Sequence, residues 1–188
     1  MKLLLAVAAV VVVAVAVAVY AVTRPAPVAA VHVTAADAAA AERKAATLEA
    51  AAALASRTGR PVHVSEVFTD AELTALANQQ LAGGGQPVES VALRSNPAGY
   101  VEGTAQAQVA GQALPVYFHG RLVASPSRRP QLEISDTRVG AVALPGAISD
   151  QVTAALAGGV DLGSVNVQDL QVAYGDGSLT LSGTVLPA

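Results

Sequence analysis

Residues 100–109, YVEGTAQAQV, decide the fold class by their alternation. Val101, Gly103, Ala105, Ala107 and Val109 fall on one side of an extended chain, and Glu102, Thr104, Gln106 and Gln108 fall on the other. One face is dry and the other wet, the pattern of an antiparallel strand that covers a core from one side. Upstream, Val91 and Leu93 mark a preceding strand, joined through Asn96-Pro97-Ala98-Gly99, which has the residues of a tight turn. Downstream, Leu114, Val116, Phe118, Gly120, Leu122 and Ala124 continue the alternation, and Leu132 and Ile134 resume it beyond the loop 125–130. Four consecutive half-wet strands predict a meander. Pro115 has no amide donor and is expected at an edge or a bulge.

Helical signals flank the meander. Thr69-Asp70-Ala71-Glu72 is a capping box, followed by Leu73, Leu76, Ala77 and Leu81 at helical spacing and by the stop Gly83-Gly84-Gly85. A second amphipathic helix is expected after Leu144-Pro145-Gly146, with Ile148, Val152 and Leu156 on its stripe. Val165 and Val167, then Leu170, Val172 and Tyr174, change parity near Asp169, which predicts a bulge. Gly175-Asp176-Gly177-Ser178 turns that strand into a last one, carrying Leu179, Leu181, Gly183 and Val185. The expected class is α+β: a curved antiparallel sheet of about six strands wrapped on one or two helices.

The N-terminal part reads differently. Leu3 to Val22 is an uncharged apolar run long enough to cross about 30 Å of hydrocarbon as a helix, with Lys2 before it and Arg24 after it. Its length favours a retained anchor over a cleavable signal, although the small residues Ala16-Val17-Ala18 would permit cleavage. Flanking charge is nearly balanced, and the orientation expected is N-terminus in, C-terminal domain outside the cytoplasmic membrane, single-pass. Residues 1–22 are thus the expected transmembrane anchor, 23–33 a linker begun by Pro25 and Pro27, 34–57 an Ala-rich helical spacer or peripheral helix capped by Thr34, and 58–188 the α+β domain. That helix offers mostly alanine with Leu48 and Leu54, so weak packing is expected.

Composition limits the chemistry. Eleven basic and fourteen acidic residues leave a net charge of −3 with no basic stripe, which argues against a nucleic-acid partner. The absence of cysteine removes disulfides, thiolate metal sites and thiol nucleophiles. His32, His63 and His119 share no metal-ligand spacing, and no cofactor motif is present. Glu102, Glu133 and Asp136 are the carboxylates on expected strands; a pair of them has the chemistry of acid and base, but most strand carboxylates on a wet face are simply solvated, and no serine lies in a strand-to-helix elbow, so no catalytic, cofactor-binding or metal residue is assigned. His119 with Tyr117 and Arg121 on one strand face reads as a solvated or partner-facing surface. Arg128 and Arg129, at a Pro-flanked loop, are the charges best placed to meet a headgroup or an acidic partner. The aromatic share is 3%, so the core must be built from Val, Leu and Ala.

Three stretches, FTDAELTALANQQL (68–81), VGAVALPGAISDQVTAAL (139–156) and VQDLQVAYGDGSLTLSGTV (167–185), carry a resemblance to small membrane-anchored extracytoplasmic bacterial proteins of the YpmS-like and LmeA-like kind. The resemblance covers about two-thirds of the chain and rests on apolar patterns and turns, without a chemical motif. It implies a half-barrel sheet on a helix, related in shape to tubular lipid-binding domains, and it brings no catalytic residue. It further implies that the concave face accepts an acyl chain. The residues expected to line that face are Leu73, Leu76, Val101, Ala105, Val109, Val116, Phe118, Leu122, Ile148 and Val152. The expected function is non-enzymatic binding of a membrane lipid or amphiphile in envelope assembly or maintenance. The competing expectation is a scaffold that binds a membrane-protein partner without ligand, marked by filled packing between the 73–81 helix and the sheet.

Overall fold

The computed structural model describes residues 30–82, 88–109, 112–124, 130–140, 142–143, 146, 150, 153–154 and 167–187. The expected anchor, Arg128, Arg129, Ile148 and Val152 lie outside the described residues, as does most of the helix expected after Gly146. Among the described residues, no helix is long and apolar enough to cross a membrane.

Among the described residues, two helices and eight strands follow in the order α1 (Ala35–Thr58), β1 (Val62–Thr69), α2 (Asp70–Leu81), β2 (Val88–Asn96), β3 (Tyr100–Val109), β4 (Gln112–Ala124), β5 (Pro130–Val139), β6 (Val142–Ala143), β7 (Val167–Gly175) and β8 (Ser178–Val185). The α+β class is as expected, but the single sheet is not. The strands form a five-stranded sheet, β2-β3-β4-β5-β6, and a separate three-stranded sheet, β1-β8-β7.

The five-stranded sheet contains the predicted meander. Ala98 N donates to Asn96 Oδ1 at 2.9 Å and Gly99 N donates to Asn96 O at 3.0 Å, with Gly99 at φ +94°, where a side chain would be strained. β3 alternates between buried and wetter positions from Val101 to Gln108 as its pattern requires. Pairing of β4 with β5 begins at Val116, so Pro115 pairs with β3 alone and its missing donor leaves no ladder bond open on the other side.

The second sheet joins the two ends of the domain. β8 lies in the middle, pairing with β1 from Val62↔Val185 to Thr69↔Ser178 and with β7 on its other side. The β7–β8 register shifts between Gln168 and Gln171, and Asp169 takes φ +54°; the parity change near Asp169 is this bulge.

Both helices start with the caps their sequences encode. Thr34 and Asp37 close one capping box and Thr69 and Glu72 the other. α2 buries Leu73, Leu76, Ala77 and Leu81. α1 buries Ala41, Leu48 and Ala55, one residue every two turns, and packs along α2 and β1. Leu54 is left 41% exposed. Lys44 holds α1 in place: its Nζ donates to Val67 O, pairs with Glu72 Oε2 at 2.6 Å and sits 5.6 Å from the centre of the Phe68 ring.

Candidate functional site

Two surfaces of the five-stranded sheet bear on function, one dry and one wet. Cross-strand register places Val91 against Ala105, Leu93 against Gly103, Gly103 against Phe118 and Ala105 against Val116, so small residues of β3 lie between larger ones of β2 and β4. Leu73, Leu76, Val101, Ala105, Val116, Phe118 and Leu122, all expected to line a concave face, come together in one cluster in which none is more than 8% exposed. The same cluster takes in Phe68, Leu179, Leu181 and Val185 from the three-stranded sheet, which the sequence reading did not join to it. Of Val109 the structure describes the backbone alone, and Ile148 and Val152 are outside the described residues. The described part of this face is a closed interior.

A row of polar bonds holds α2 to the edge of this sheet. Along β2, alternate backbone groups point away from β3, and the short polar side chains of α2 at positions i, i+4 and i+8 meet them. Asp70 Oδ1 accepts from Ser95 N at 2.8 Å. Thr74 Oγ1 accepts from Leu93 N at 2.9 Å, and Asn78 accepts from Val91 N and donates to Val91 O, both at 2.8 Å. An edge that would otherwise template another strand is thereby closed. The sequence signal was present as a Asp70-Thr74-Asn78 stripe beside the leucines, but only the strand order gives it a meaning. At the other end, Leu122 lies beyond Gly120, the last residue of β4 paired with β3. There the Tyr174 hydroxyl accepts from Leu122 N at 2.9 Å. Burial raises the Tyr174 pKa, opposed by that bond and by Arg121.

The wet face carries the chemistry. Arg94, Glu102, His119 and Asp136 are successive partners across β2, β3, β4 and β5. Tyr100 and His119 meet edge to face with ring centroids 4.0 Å apart. Asn96 Nδ2 donates to the Tyr100 hydroxyl at 2.9 Å and to Glu102 Oε1 at 2.8 Å. Ser135, the extra residue where the β4–β5 register shifts, donates through Oγ to His119 O at 3.0 Å, and Asp136 pairs with Arg138 at 2.7 Å. Tyr117, beside His119 on the same strand face, has its pKa raised by burial first and by Glu102, Tyr100 and Asp136 after it, with Arg138 opposing.

The structure therefore brings Glu102, His119 and Asp136 into one row, while Glu133 pairs instead with Arg121, and His63 lies on β1 in the other sheet. Among the described residues, no group of three or more histidine, aspartate or glutamate side chains is placed to hold a metal ion. Next to this row, at the β2–β3 turn, is a cleft of about 200 Å³ lined by Arg94, Ser95, Asn96, Pro97, Glu102 and Asp176. It brings together residues of β2, β3 and the β7–β8 turn, a meeting that no local motif encodes.

No family model matches the chain, and no curated protein or solved structure is significantly similar to it. The class that the described residues define is an α+β domain, in which they form two antiparallel sheets and two capped helices.

Proposed function

We propose that the chain is a membrane-tethered extracytoplasmic domain, non-enzymatic, that binds a lipid or other amphiphile against its dry sheet face in envelope assembly or maintenance. The observation that carries this reading is the aliphatic interior shared by β2, β3, β4 and α2, whose floor of Gly103, Ala105 and Ala107 is nearly free of side-chain bulk. The uncharged run from Leu3 to Val22 supports tethering. Because the described part of the face is packed, an acyl chain enters only after local opening.

A second reading is a scaffold for a membrane-protein partner, and the packing of Leu73 and Leu76 favours it. The Tyr100–His119 pair with Tyr117 is the surface such a partner would use, since tyrosine and arginine dominate interface hot spots.

Native mass spectrometry of the full chain, extracted in lauryldimethylamine oxide and followed by organic extraction, separates the two. A co-purifying lipid mass, with an amphiphile-dependent rise in melting temperature, is expected for the first reading. An apo mass that stays apo after incubation with membrane lipids overturns it, and in-cell crosslinking at Tyr100 then identifies the partner.

A further inference from the structure

We propose that the cleft at the β2–β3 turn is a binding site for a neutral polyhydroxylated ring, a single sugar unit of a glycan. It does not depend on the lipid reading, because the wet-face groups that carry it, Arg94, Asn96 and Glu102, alternate along β2 and β3 with the residues of the dry interior.

The cleft is polar throughout apart from Pro97, and its volume of about 200 Å³, below the usual range for drug-sized ligands, admits a ligand no larger than a single small ring. Its charges select the ligand. Arg94 contributes one positive charge and Glu102 and Asp176 contribute two negative ones, with Asp70 behind them at 3.8 Å from Arg94 Nε. A phosphate or carboxylate would meet two carboxylates for one guanidinium, and the balance is unfavourable. An ammonium gains from the carboxylate excess but has no acceptor to offer Arg94. A polyol suits both, donating hydroxyl protons to Glu102 and Asp176 and accepting from Arg94.

The groups also have bonding capacity left over. Glu102 uses Oε1 for Asn96, and its other oxygen has no hydrogen bond within the described residues. Asp176 makes no hydrogen bond or ion pair there either, although its charge reaches Asp70. Asn96 fixes Glu102 and ties it to the Tyr100 hydroxyl.

The test is titration of the isotope-labelled full chain, in lauryldimethylamine oxide so that no sugar detergent is present, with glucose, mannose, galactose and N-acetylglucosamine in turn. Saturable millimolar shifts of the Asn96 side-chain amide and the Arg94 Nε–H are expected with at least one sugar. Asp176→Asn, on an exposed turn, should weaken that binding by about tenfold, the size of one lost charged hydrogen bond, and leave the remaining spectrum unchanged. Arg94→Met should do the same, and the Asp176 variant stands in for it if the loss of the Asp70 contact disturbs folding. The proposal is overturned if no sugar moves these signals, if ethanolamine or inorganic phosphate moves them instead, or if Asp176→Asn binds as the wild type does.

Discussion

Gly103 and Phe118 face each other across β3 and β4, and the phenylalanine ring occupies the space where a β-carbon at position 103 would be. The ring is fully buried and cannot swing out to solvent, so any side chain at 103 must push the two strands apart. Gly103→Ala should therefore destabilise the fold by about 1–3 kcal/mol, read as a lower denaturant midpoint with an unchanged slope. An unchanged midpoint would mean that the ring has room to move. Asp70 is the other residue whose surroundings make a sharp claim. Burial raises its pKa, partly opposed by the Ser95 amide and Arg94, while Asp176 adds to the rise. Folding thus favours the protonated form. The stabilisation from that preference is complete below the ordinary carboxylate range and is lost as pH rises through the elevated folded value. Relative to Asp70→Asn, which does not titrate, the wild type should lose melting temperature as pH rises from about 4 towards neutrality. Melting curves of the pair across that window check the sign, and parallel curves would show that Asp70 feels no net burial.

At the scale of elements, the contrast between the helices follows from what each can bond. α2 meets the β2 edge through Asp70, Thr74 and Asn78 and also buries three leucines, whereas α1 is held by alanines, Leu48 and the contacts of Lys44. Thr74→Val keeps the shape of the side chain but leaves the Leu93 amide without an acceptor in a dry place, at a cost of about 1–3 kcal/mol. Hydrogen exchange should show faster exchange at Leu93 before any change at β4 or β8. Lys44→Met removes an ion pair that is partly open to water, so about 1 kcal/mol is expected, concentrated in α1. The amides of α1 should then exchange ahead of those of α2, and uniform loss across both helices would contradict this division. The caps of both helices, the 96–99 turn and the bulge at Asp169 were legible in the sequence because each depends on residues within a few positions. The role of Thr74 and Asn78 was not, since it depends on which strand lies at the sheet edge.

For the whole molecule, the eight described strands make two sheets where one curved sheet was expected. The outward groups of β2 at 91, 93 and 95 are taken by α2, so no strand can add at that edge, and β8 is already paired on both sides. Neither sheet can extend into the other through β2 or β8. The strands themselves were readable from alternation, but the pairing of β1 with β8 spans most of the domain, and periodicity carries no information about such a distant partner. The candidate site divides the same way. The dry residues of β3 and β4 were legible, while the cleft needs Asp176 to come beside Arg94 across the fold. This architecture makes the last strand decisive. Removing residues 178–188 takes away the shared partner of β1 and β7 together with Leu179, Leu181 and Val185, all buried, and the carbonyl side of the Asp70–Gly177 contact loses its support. An edge strand could be lost with local fraying, but a central one leaves two strands with unpaired backbone on both sides. The truncated chain is expected to lose its cooperative unfolding transition by circular dichroism. Removal of 186–188 alone, past the last paired residue, should leave the transition in place. If the longer truncation still unfolds cooperatively, the five-stranded sheet with α2 is the folding unit and the three-stranded sheet is an appendage to it.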